Sequence, residues 1–263
     1  MSDRSERQSA RIKAILRDLQ QGGSLSIEDL CERYGASLAT IRRDLQELED
    51  RGLLRRIRGG AMPIEPLFYE PFRTSPSFQD LVGRHAEEKR RIGQAAAELL
   101  EPGNTLSLTA GTTTTEVVRC LPYEYNLKVI TNTVNVAMEL SKRKDVDVFV
   151  TGGHLRGDWF SLVGPAAIDT LRQAFVDVVF IGADGIDAAA GLTCRSPDEA
   201  AVNRVMVTQA KRRIAVVDRS KFGVVAEWQI CPVETCDLII TDSALPDAAL
   251  APFEERKLQV RRV

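Results

Sequence analysis

Short apolar segments alternate with helical patterns from residue 84 toward the C-terminus, and this alternation restricts the possible fold more than any other feature. The apolar segments predict strands at 105–108, 128–131, 146–150, 176–181, 214–217 and 238–241. Helices are predicted around them at 89–100, from 111 onward, and at 134–140, 165–174 and 200–210. Strands that are apolar throughout and flanked by helices are typical of a parallel sheet covered on both faces. The predicted fold class is therefore α/β, with a doubly wound, mostly parallel sheet.

The first 61 residues have a different pattern, in which helices are followed by a basic hairpin. Apolar residues spaced for one helical face predict a helix at 5–21. Ser26, with an acid three residues later, has the spacing that begins a second, short helix. Gly35 supplies a turn, and Ser37 is placed to cap a third helix. This order of elements predicts a winged helix-turn-helix at 1–61.

The third helix and the hairpin after it carry side chains suited to contacting a nucleic-acid duplex. Ile41, Leu45 and Leu48 fall on one helical face, which leaves polar and basic side chains on the others. Gly52 supplies a helix end, and the stretch 51–58 holds four arginines and no acid. Such a helix fits a groove and such a ribbon fits phosphates, although arginines alone are more typical of a solvated face on a packing module. The residues predicted to contact DNA are Ser37, Thr40, Arg42, Arg43, Gln46, Arg55, Arg56 and Arg58.

A proline-rich segment separates the two patterned regions. Pro63, Pro66, Pro71 and Pro76 remove backbone donors and resist helix formation, which predicts a linker at 62–83. The larger predicted domain then occupies residues 84–263.

Composition argues against several classes of protein. No apolar run approaches the roughly 20 residues that a membrane-spanning helix needs, and the N-terminus lacks a signal-peptide core. We therefore expect a cytoplasmic protein with no membrane partner. The five cysteines, at positions 31, 120, 194, 231 and 236, have the spacing of neither a disulfide framework nor a zinc site. No metal and no other cofactor is expected.

Polar loops follow the predicted strands, where parallel sheets bind their ligands. In the first loop a glycine precedes four threonines, so a helix N-terminus there would offer backbone N–H groups and hydroxyls to an anion. Lys221 supplies the point charge that attracts a phosphate, while acids and Asn132 can bind sugar hydroxyls. For the first loop alone, simple helix capping is the alternative. The residues predicted to bind a polyol phosphate are Gly111, Thr112, Thr113, Thr114, Thr131, Asn132, Gly152, Gly153, Asp184, Glu199 and Lys221.

Motifs across nearly the whole chain resemble the DeoR family of bacterial transcriptional regulators. They are SLATIRRDL at 37–45, GLLRR at 52–56, GGA at 59–61, ITN at 130–132, TGG at 151–153, IGADGID at 181–187 and VVDRSKFG at 216–223. The resemblance implies that Ser37, Thr40, Arg42 and Arg43 contact operator DNA. It also implies that Asp44 does not, because an acid beside two arginines is expected to orient one of them.

The same resemblance implies a function. The family's effector domain is similar to ribose-5-phosphate isomerase, and its usual ligands are sugar phosphates. The expected protein is thus a repressor of a sugar or polyol catabolic operon that a phosphorylated sugar relieves. Because operators pair half-sites about one helical turn apart, a homo-oligomer, either a dimer or a tetramer, is also expected.

Two departures from these patterns affect the expected site. The family commonly has an aspartate where this chain has Thr109, so one acceptor for sugar hydroxyls is missing. The isomerase pattern resembles DGADE, so Ile181 and Gly185 replace two acids here. We therefore expect a non-catalytic sensor with no catalytic residues. The alternatives are a sugar-phosphate isomerase-like enzyme with an appended DNA-binding domain, and an interaction scaffold that binds no sugar phosphate.

Overall fold

A computed structural model of the chain describes residues 3–50, 53–62, 81, 83–157 and 159–263, without the side chains of residues 3–7 and 20–22. The chain divides into two compact units, Met1–Phe68 with Ser141–Asp145, and Tyr69–Leu140 with Val146–Val263. Gly52, predicted to end the third helix, and the four prolines of the predicted linker lie outside the described residues.

The first unit is a winged helix-turn-helix, as the sequence predicts. Its helices are α1 (Asp3–Gly22), α2 (Ile27–Tyr34) and α3 (Leu38–Asp50). Strands β1 (Leu25–Ser26), β2 (Arg55–Ile57) and β3 (Gly60–Met62) form an antiparallel sheet in the order β1-β3-β2. The buried side chains on α1 and α3 include Ile15, Ile41, Leu45 and Leu48.

Local chemistry sets the ends of these helices. The Ser26 hydroxyl accepts a hydrogen bond from the Asp29 amide at 3.0 Å, which confirms the predicted cap of α2. Gly35 ends α2 in the left-handed region at φ 58°, where glycine meets no steric penalty. The Ser37 hydroxyl accepts from the Thr40 amide at 3.3 Å and so caps α3.

The expected role of Asp44 is wrong. Its side chain is buried, and its Oδ2 accepts a hydrogen bond from Arg11 Nε of α1 at 2.6 Å rather than orienting a neighbouring arginine. The reason is helical spacing, since Asp44 lies three residues after Ile41 and four before Leu48 and therefore shares their packed face. Asp44 thus fastens the third helix to the first.

The second unit is built on a sheet in which all seven described strands are parallel, in the order β15-β14-β12-β9-β4-β5-β6. These strands are β4 (Thr105–Leu108), β5 (Leu127–Thr131), β6 (Val146–Val150), β9 (Val176–Ile181), β12 (Ala210–Val216), β14 (Leu238–Thr241) and β15 (Val260–Arg262). The helices are α4 (Ala86–Ala97), α5 (Thr112–Arg119), α6 (Val134–Leu140), α7 (Pro165–Arg172), α8 (Pro197–Thr208) and α9 (Asp247–Glu255). The doubly wound parallel sheet is therefore confirmed.

Each face of this sheet is covered by its own helices. Along β9, Val178 and Phe180 pack into the core that also holds residues of α4, α5 and α6. Val179 and Ile181 pack into the opposite core, with residues of α7 and α8. Because successive strand residues point to opposite faces, the five apolar residues of β9 are all buried on one face or the other, and only Asp177 is polar.

Several short elements are not predicted by the sequence. They are the hairpin of β7 (His154–Arg156) and β8 (Ser161–Val163), and an antiparallel sheet of β10 (Gly185–Asp187), β11 (Gly191–Cys194) and β13 (Trp228–Cys231). Each of these strands has only three or four residues and mixes polar with apolar side chains, so it leaves little periodic signal.

The order of the parallel strands creates a crevice. From β4 the chain adds β5 and β6 on one side, then returns to place β9 on the other side of β4 and continues to β12 and β14. The connections that leave β4 and β9 therefore pass to opposite faces of the sheet, which opens a crevice at the carboxyl ends of these two strands.

Replacement of Arg11 tests the contact between α1 and α3. Arg11→Met should lower the free energy of unfolding of the first unit by about 3 kcal/mol, because it leaves the buried Asp44 carboxylate without its charged partner. The matched control is Arg33→Met, because the Arg33 side chain is 54% exposed in its pair with Asp18 and its loss should lower stability much less. Hydrogen exchange of the α3 amides in the full-length protein measures both losses. Equal losses of stability in the two variants would contradict the inference that burial of Asp44 makes its ion pair the more important one.

Candidate functional site

An open cleft lies at the crevice between β4 and β9. Its space, counted out to the open mouth and including open solvent, is about 580 Å³. The cleft is lined by Leu81, Ala110, Gly111, Thr112, Thr113, Trp159, Gly182, Ala183, Asp184, Cys194, Glu199, Asn203 and Lys221. The structure thus brings together six of the residues predicted to bind a polyol phosphate, namely Gly111, Thr112, Thr113, Asp184, Glu199 and Lys221.

Thr109 holds the two strand ends together beneath this cleft. Its side chain is buried, and its hydroxyl accepts a hydrogen bond from the Gly182 amide at 2.9 Å. The position where the family commonly has an acid is therefore occupied by an oxygen that binds backbone. Thr109 itself does not line the cleft, and the effect of the missing acid on the effector stays a prediction.

The N-terminus of α5 opens onto the cleft. No side chain caps this helix at Gly111, so its first backbone N–H groups remain available. The hydroxyls of Thr114 and Thr115 instead donate to the Gly111 carbonyl, at 2.9 and 2.8 Å. Thr114 is consequently buried and, unlike Gly111 and the two threonines that follow it, does not line the cleft. A helix N-terminus together with the Lys221 ammonium group is suited to an anion.

Two carboxylates lie on the same cleft. Asp184 Oδ2 accepts a hydrogen bond from the Arg195 amide at 3.0 Å, and Glu199 Oε1 accepts one from the Ser161 hydroxyl at 2.8 Å. Burial raises the pKa of Glu199 above its ordinary value of 4.5, although Ser161 and the nearby Arg156 oppose this shift. These bonds fix the two acids in place as acceptors for hydroxyl groups.

Thr131 and Asn132 lie outside the lining of the cleft, contrary to the predicted convergence of the loops. Both are buried, and Thr131 Oγ1 donates to the Leu108 carbonyl at 3.3 Å. Asn132 Nδ2 donates to the Leu162 carbonyl at 3.0 Å, while the Leu162 amide donates to the Asn132 carbonyl at 2.7 Å. Asn132 therefore anchors strand β8.

Gly152 and Gly153 also do not line the cleft. Gly153 has φ 137°, and a Cβ atom there would lie 2.6 Å from the Val163 carbonyl oxygen. This glycine is needed for the close approach of the chain to β8. The predicted second and third loops thus support the β7–β8 hairpin rather than the cleft itself.

Seven residues of the lining were not among those predicted to bind the ligand: Leu81, Ala110, Trp159, Gly182, Ala183, Cys194 and Asn203. Trp159 belongs to the connection between β7 and β8, a segment whose Ser161 is hydrogen-bonded to Glu199. Asn203 lies four residues after Glu199 in α8, so the helical spacing from a predicted site residue could have identified it. Burial raises the pKa of the Cys194 thiol to about 11, so this thiol stays protonated at neutral pH.

The turn that carries Lys221 is tied to the beginning of α4. Arg219 Nη1 donates to Glu88 at 3.0 Å and to the buried Asp242 at 2.8 Å. The hydrogen bond from Arg219 lowers the pKa of Glu88 to about 2. The neighbouring Lys89 is buried, and its ammonium group donates to the carbonyls of Leu81 and Arg84. Burial lowers the pKa of Lys89.

In the first unit, α3 presents the side chains predicted to contact DNA. Arg42 and Arg43 are exposed, whereas Ile41 beside them is buried. The hydroxyls of Ser37 and Thr40 lie 2.9 Å apart at the start of the helix. Gln46 Nε2 donates to Asp50 at 2.8 Å. One face of α3 is therefore packed, and the other offers two arginines.

The three arginines of the hairpin differ in their surroundings. Arg56 Nε donates to Glu49 Oε2 at 2.8 Å and its amide donates to Oε1 at 2.9 Å, which together lower the pKa of Glu49. Arg55 Nη2 lies 3.3 Å from the sulfur of Met62. Arg58 is exposed. The charge of Arg56 is thus compensated within the unit.

No group of three or more His, Cys, Asp or Glu side chains in the described part of the chain could hold a metal ion. Among the described helices, none has the length and apolar character needed to cross a bilayer.

Substitution of Glu199 tests whether burial raises the pKa of its carboxyl group. Because folding raises the pKa of Glu199, the stability contributed by this group is complete below 4.5 and is lost as the pH rises through the raised value. Glu199→Gln keeps an acceptor for Ser161 but carries no charge. The variant should therefore be more stable than wild type at pH 7, with a difference that vanishes below pH 4.5. Urea unfolding across this pH range, in phosphate-free buffer, measures it.

Glu234→Gln is the matched control, because hydrogen bonds lower the pKa of Glu234. This substitution should give no gain in stability at pH 7. A loss of stability in Glu199→Gln that grows with pH would show that the charged form is favoured by the fold.

Comparison with known proteins places both units in one family. Residues 11–66 match the DeoR-like helix-turn-helix domain, and residues 84–243 match the DeoR C-terminal sensor domain. The putative aga operon transcriptional repressor of Escherichia coli O157:H7 is 35% identical, over 96% of this chain and 93% of its own length. The glycerol-3-phosphate regulon repressor of Escherichia coli K12 is 31% identical, over 97% of this chain and 98% of its own length.

A solved structure, ribose 5-phosphate isomerase A from Methanocaldococcus jannaschii, is 16% identical with a TM-score of 0.37 and covers 52% of this chain and 54% of its own. This likeness is too distant to bear on activity. The family is shown by the two matched domains and by the two relatives, which align with this chain over nearly their full length. The chain belongs to the DeoR family of transcriptional regulators.

Proposed function

We propose that this protein is a cytoplasmic repressor of a sugar or polyol catabolic operon and that a phosphorylated sugar bound in the cleft relieves repression. In this proposal residues 1–61 bind operator DNA, 62–83 link the domains, and 84–263 bind the effector. The observation that carries the proposal is the composition of the cleft, in which an uncapped helix N-terminus, a lysine and two carboxylates line one space.

The phosphate end of the proposed ligand is supported by α5 and Lys221. The first N–H groups of a helix carry a partial positive charge and point along its axis, toward an anion placed at Gly111. Lys221 adds a full charge on the same cleft. These groups recognise a phosphate whatever the remainder of the ligand is.

The sugar end is supported by Asp184 and Glu199. Each carboxylate already accepts one hydrogen bond from the protein and retains further acceptor capacity for the hydroxyls of a polyol. The names of the aga operon and glycerol-3-phosphate regulon repressors support the same class of regulated pathway.

The DNA-binding part of the proposal rests on α3 and the wing. Arg42 and Arg43 are exposed on a helix whose other face is fixed by Asp44 and the apolar core, so they can enter a major groove while the helix stays in place. Arg55 and Arg58 of the wing would contact phosphates. Two or more heads are required for paired half-sites, so we propose a dimer or a tetramer.

A catalytic role in isomerisation is disfavoured by two positions. Ile181 is buried in the apolar core. At Gly185 a Cβ atom would lie 2.2 Å from the Val224 carbonyl oxygen, so no acidic side chain fits there. The two acids that the isomerase pattern places at these positions therefore have no counterpart in the cleft. We accordingly propose a sensor that binds its ligand without turnover.

Release of operator DNA tests the proposal. Full-length protein should bind a DNA fragment from upstream of its own gene, and a panel of sugar monophosphates should contain at least one compound that releases it. Fluorescence anisotropy of the labelled fragment measures both steps. Turnover of a pentose phosphate at an enzyme-like rate, or no release by any member of the panel, would contradict the proposal.

Two substitutions separate the two roles. Arg43→Ala should weaken operator binding roughly tenfold or more, because a bidentate arginine contact with a base is lost, and should leave ligand-induced stabilisation unchanged. Lys221→Met should weaken the ligand roughly tenfold or more and leave DNA affinity without ligand unchanged. Anisotropy and thermal shift measure the two properties in each variant.

The control for Lys221→Met is Lys211→Met. Lys211 is an exposed lysine paired with Asp177 and does not line the cleft, so its loss removes the same charge elsewhere. It should change neither ligand affinity nor DNA affinity. If a folded Arg43 or Lys221 variant loses both properties, the two roles do not belong to separate sites.

A further inference from the structure

Asn203 has an environment that packing does not explain. It lies on α8 among the buried apolar residues Ala200, Val202 and Met206, and only 6% of its own surface is exposed. No described residue forms a hydrogen bond with its side-chain amide. The residue lines the cleft, so the amide faces the space that a ligand would fill. Its side-chain atoms are not among the fully enclosed polar atoms that lack a partner, so the amide is open to water or to a ligand in the cleft.

The neighbours of Asn203 on the cleft are acidic. Glu199 lies one helical turn earlier on α8, and Asp184 follows β9. Both are acceptors when ionised, whereas an amide supplies two N–H donors as well as a carbonyl oxygen. A hydroxyl group is donor and acceptor at once, so a ligand with several hydroxyls would be bound by this set of three side chains.

The charges of the cleft restrict the ligand further. The described lining holds one lysine, Lys221, against the two carboxyl groups of Asp184 and Glu199. One phosphate is accommodated by the lysine and the N-terminus of α5. A second phosphate, or a carboxylate at the far end of the ligand, would meet these two acids without a second cation in the described lining, since Arg156, whose charge acts on Glu199, is bonded to Ser196 and does not line the cleft.

We propose that Asn203 is a specificity-determining residue that binds a hydroxyl at the far end of the effector and, with Asp184 and Glu199, selects a monophosphate whose other end is uncharged. This inference rests on the proposed effector function of the cleft. It goes beyond that function because it excludes bisphosphates and phosphorylated sugar acids.

The wild-type protein alone tests the ligand class. Isothermal titration calorimetry should show that sugar or polyol monophosphates bind more tightly than inorganic phosphate, and more tightly than the matching bisphosphates and phosphorylated sugar acids. A bisphosphate or sugar acid that binds more tightly than every monophosphate overturns the inference but keeps the effector cleft. No binding of any phosphate compound overturns both.

Asn203→Leu tests the residue, with the tightest monophosphate and inorganic phosphate as probes. The variant should bind the monophosphate about tenfold more weakly and inorganic phosphate with unchanged affinity, since only the hydroxyl contact is lost. The matched control is Thr241→Val, which removes a buried, unpartnered hydroxyl outside the cleft and should leave both affinities unchanged. Unchanged monophosphate affinity in folded Asn203→Leu, or an equal loss for both probes, overturns the inference.

If Asn203→Leu does not fold, Asn203→Lys provides a second test of the role of Asn203. A cation at this position offsets the two acids, so the affinity for bisphosphates relative to monophosphates should rise. An unchanged ratio in the folded lysine variant overturns the role of Asn203 in selection.

Discussion

The hydrogen bond from the Gly182 amide to the Thr109 hydroxyl joins two adjacent strands at the point where the chain changes direction across the sheet. Because it is buried, it is shielded from competition with water. It fixes the loop that leads into α5 relative to the loop that carries Asp184. The distance between the α5 N-terminus and Asp184, which we propose to bind the two ends of the effector, is thus set by a hydrogen bond within the protein.

The general architecture follows from local signals. Strands buried on both faces are rich in apolar residues, and two helices of the first unit begin with side chains that accept backbone hydrogen bonds, those of Ser26 and Ser37. Neither signal requires knowledge of distant contacts. For this reason the winged helix-turn-helix and most strands of the parallel sheet were predicted from single segments, whereas the short strands that mix polar and apolar residues, β7, β8, β10, β11 and β13, were not.

The direction of polar side chains could not be predicted in the same way. Asn132 and Asp184 both follow apolar strands, yet Asn132 binds strand β8 and Asp184 lines the cleft. Their difference depends on the β7–β8 hairpin, which covers one loop and leaves the other open. Asp44 is a counterexample, since its helical spacing from Ile41 and Leu48 already indicated the packed face.

The 3-10 turn at Arg219–Lys221 connects the cleft to the beginning of helix α4. Lys221 lines the cleft, and two residues earlier Arg219 is bonded to Glu88 at the first turn of α4. Leu81 lines the same cleft and is held by Lys89 of that helix. The stretch of chain that arrives from the predicted linker is therefore part of the wall that a ligand would touch. An ion pair from Arg219 to Glu88 and hydrogen bonds from Lys89 to the carbonyls of Leu81 and Arg84 thus connect the turn that carries Lys221 to that stretch.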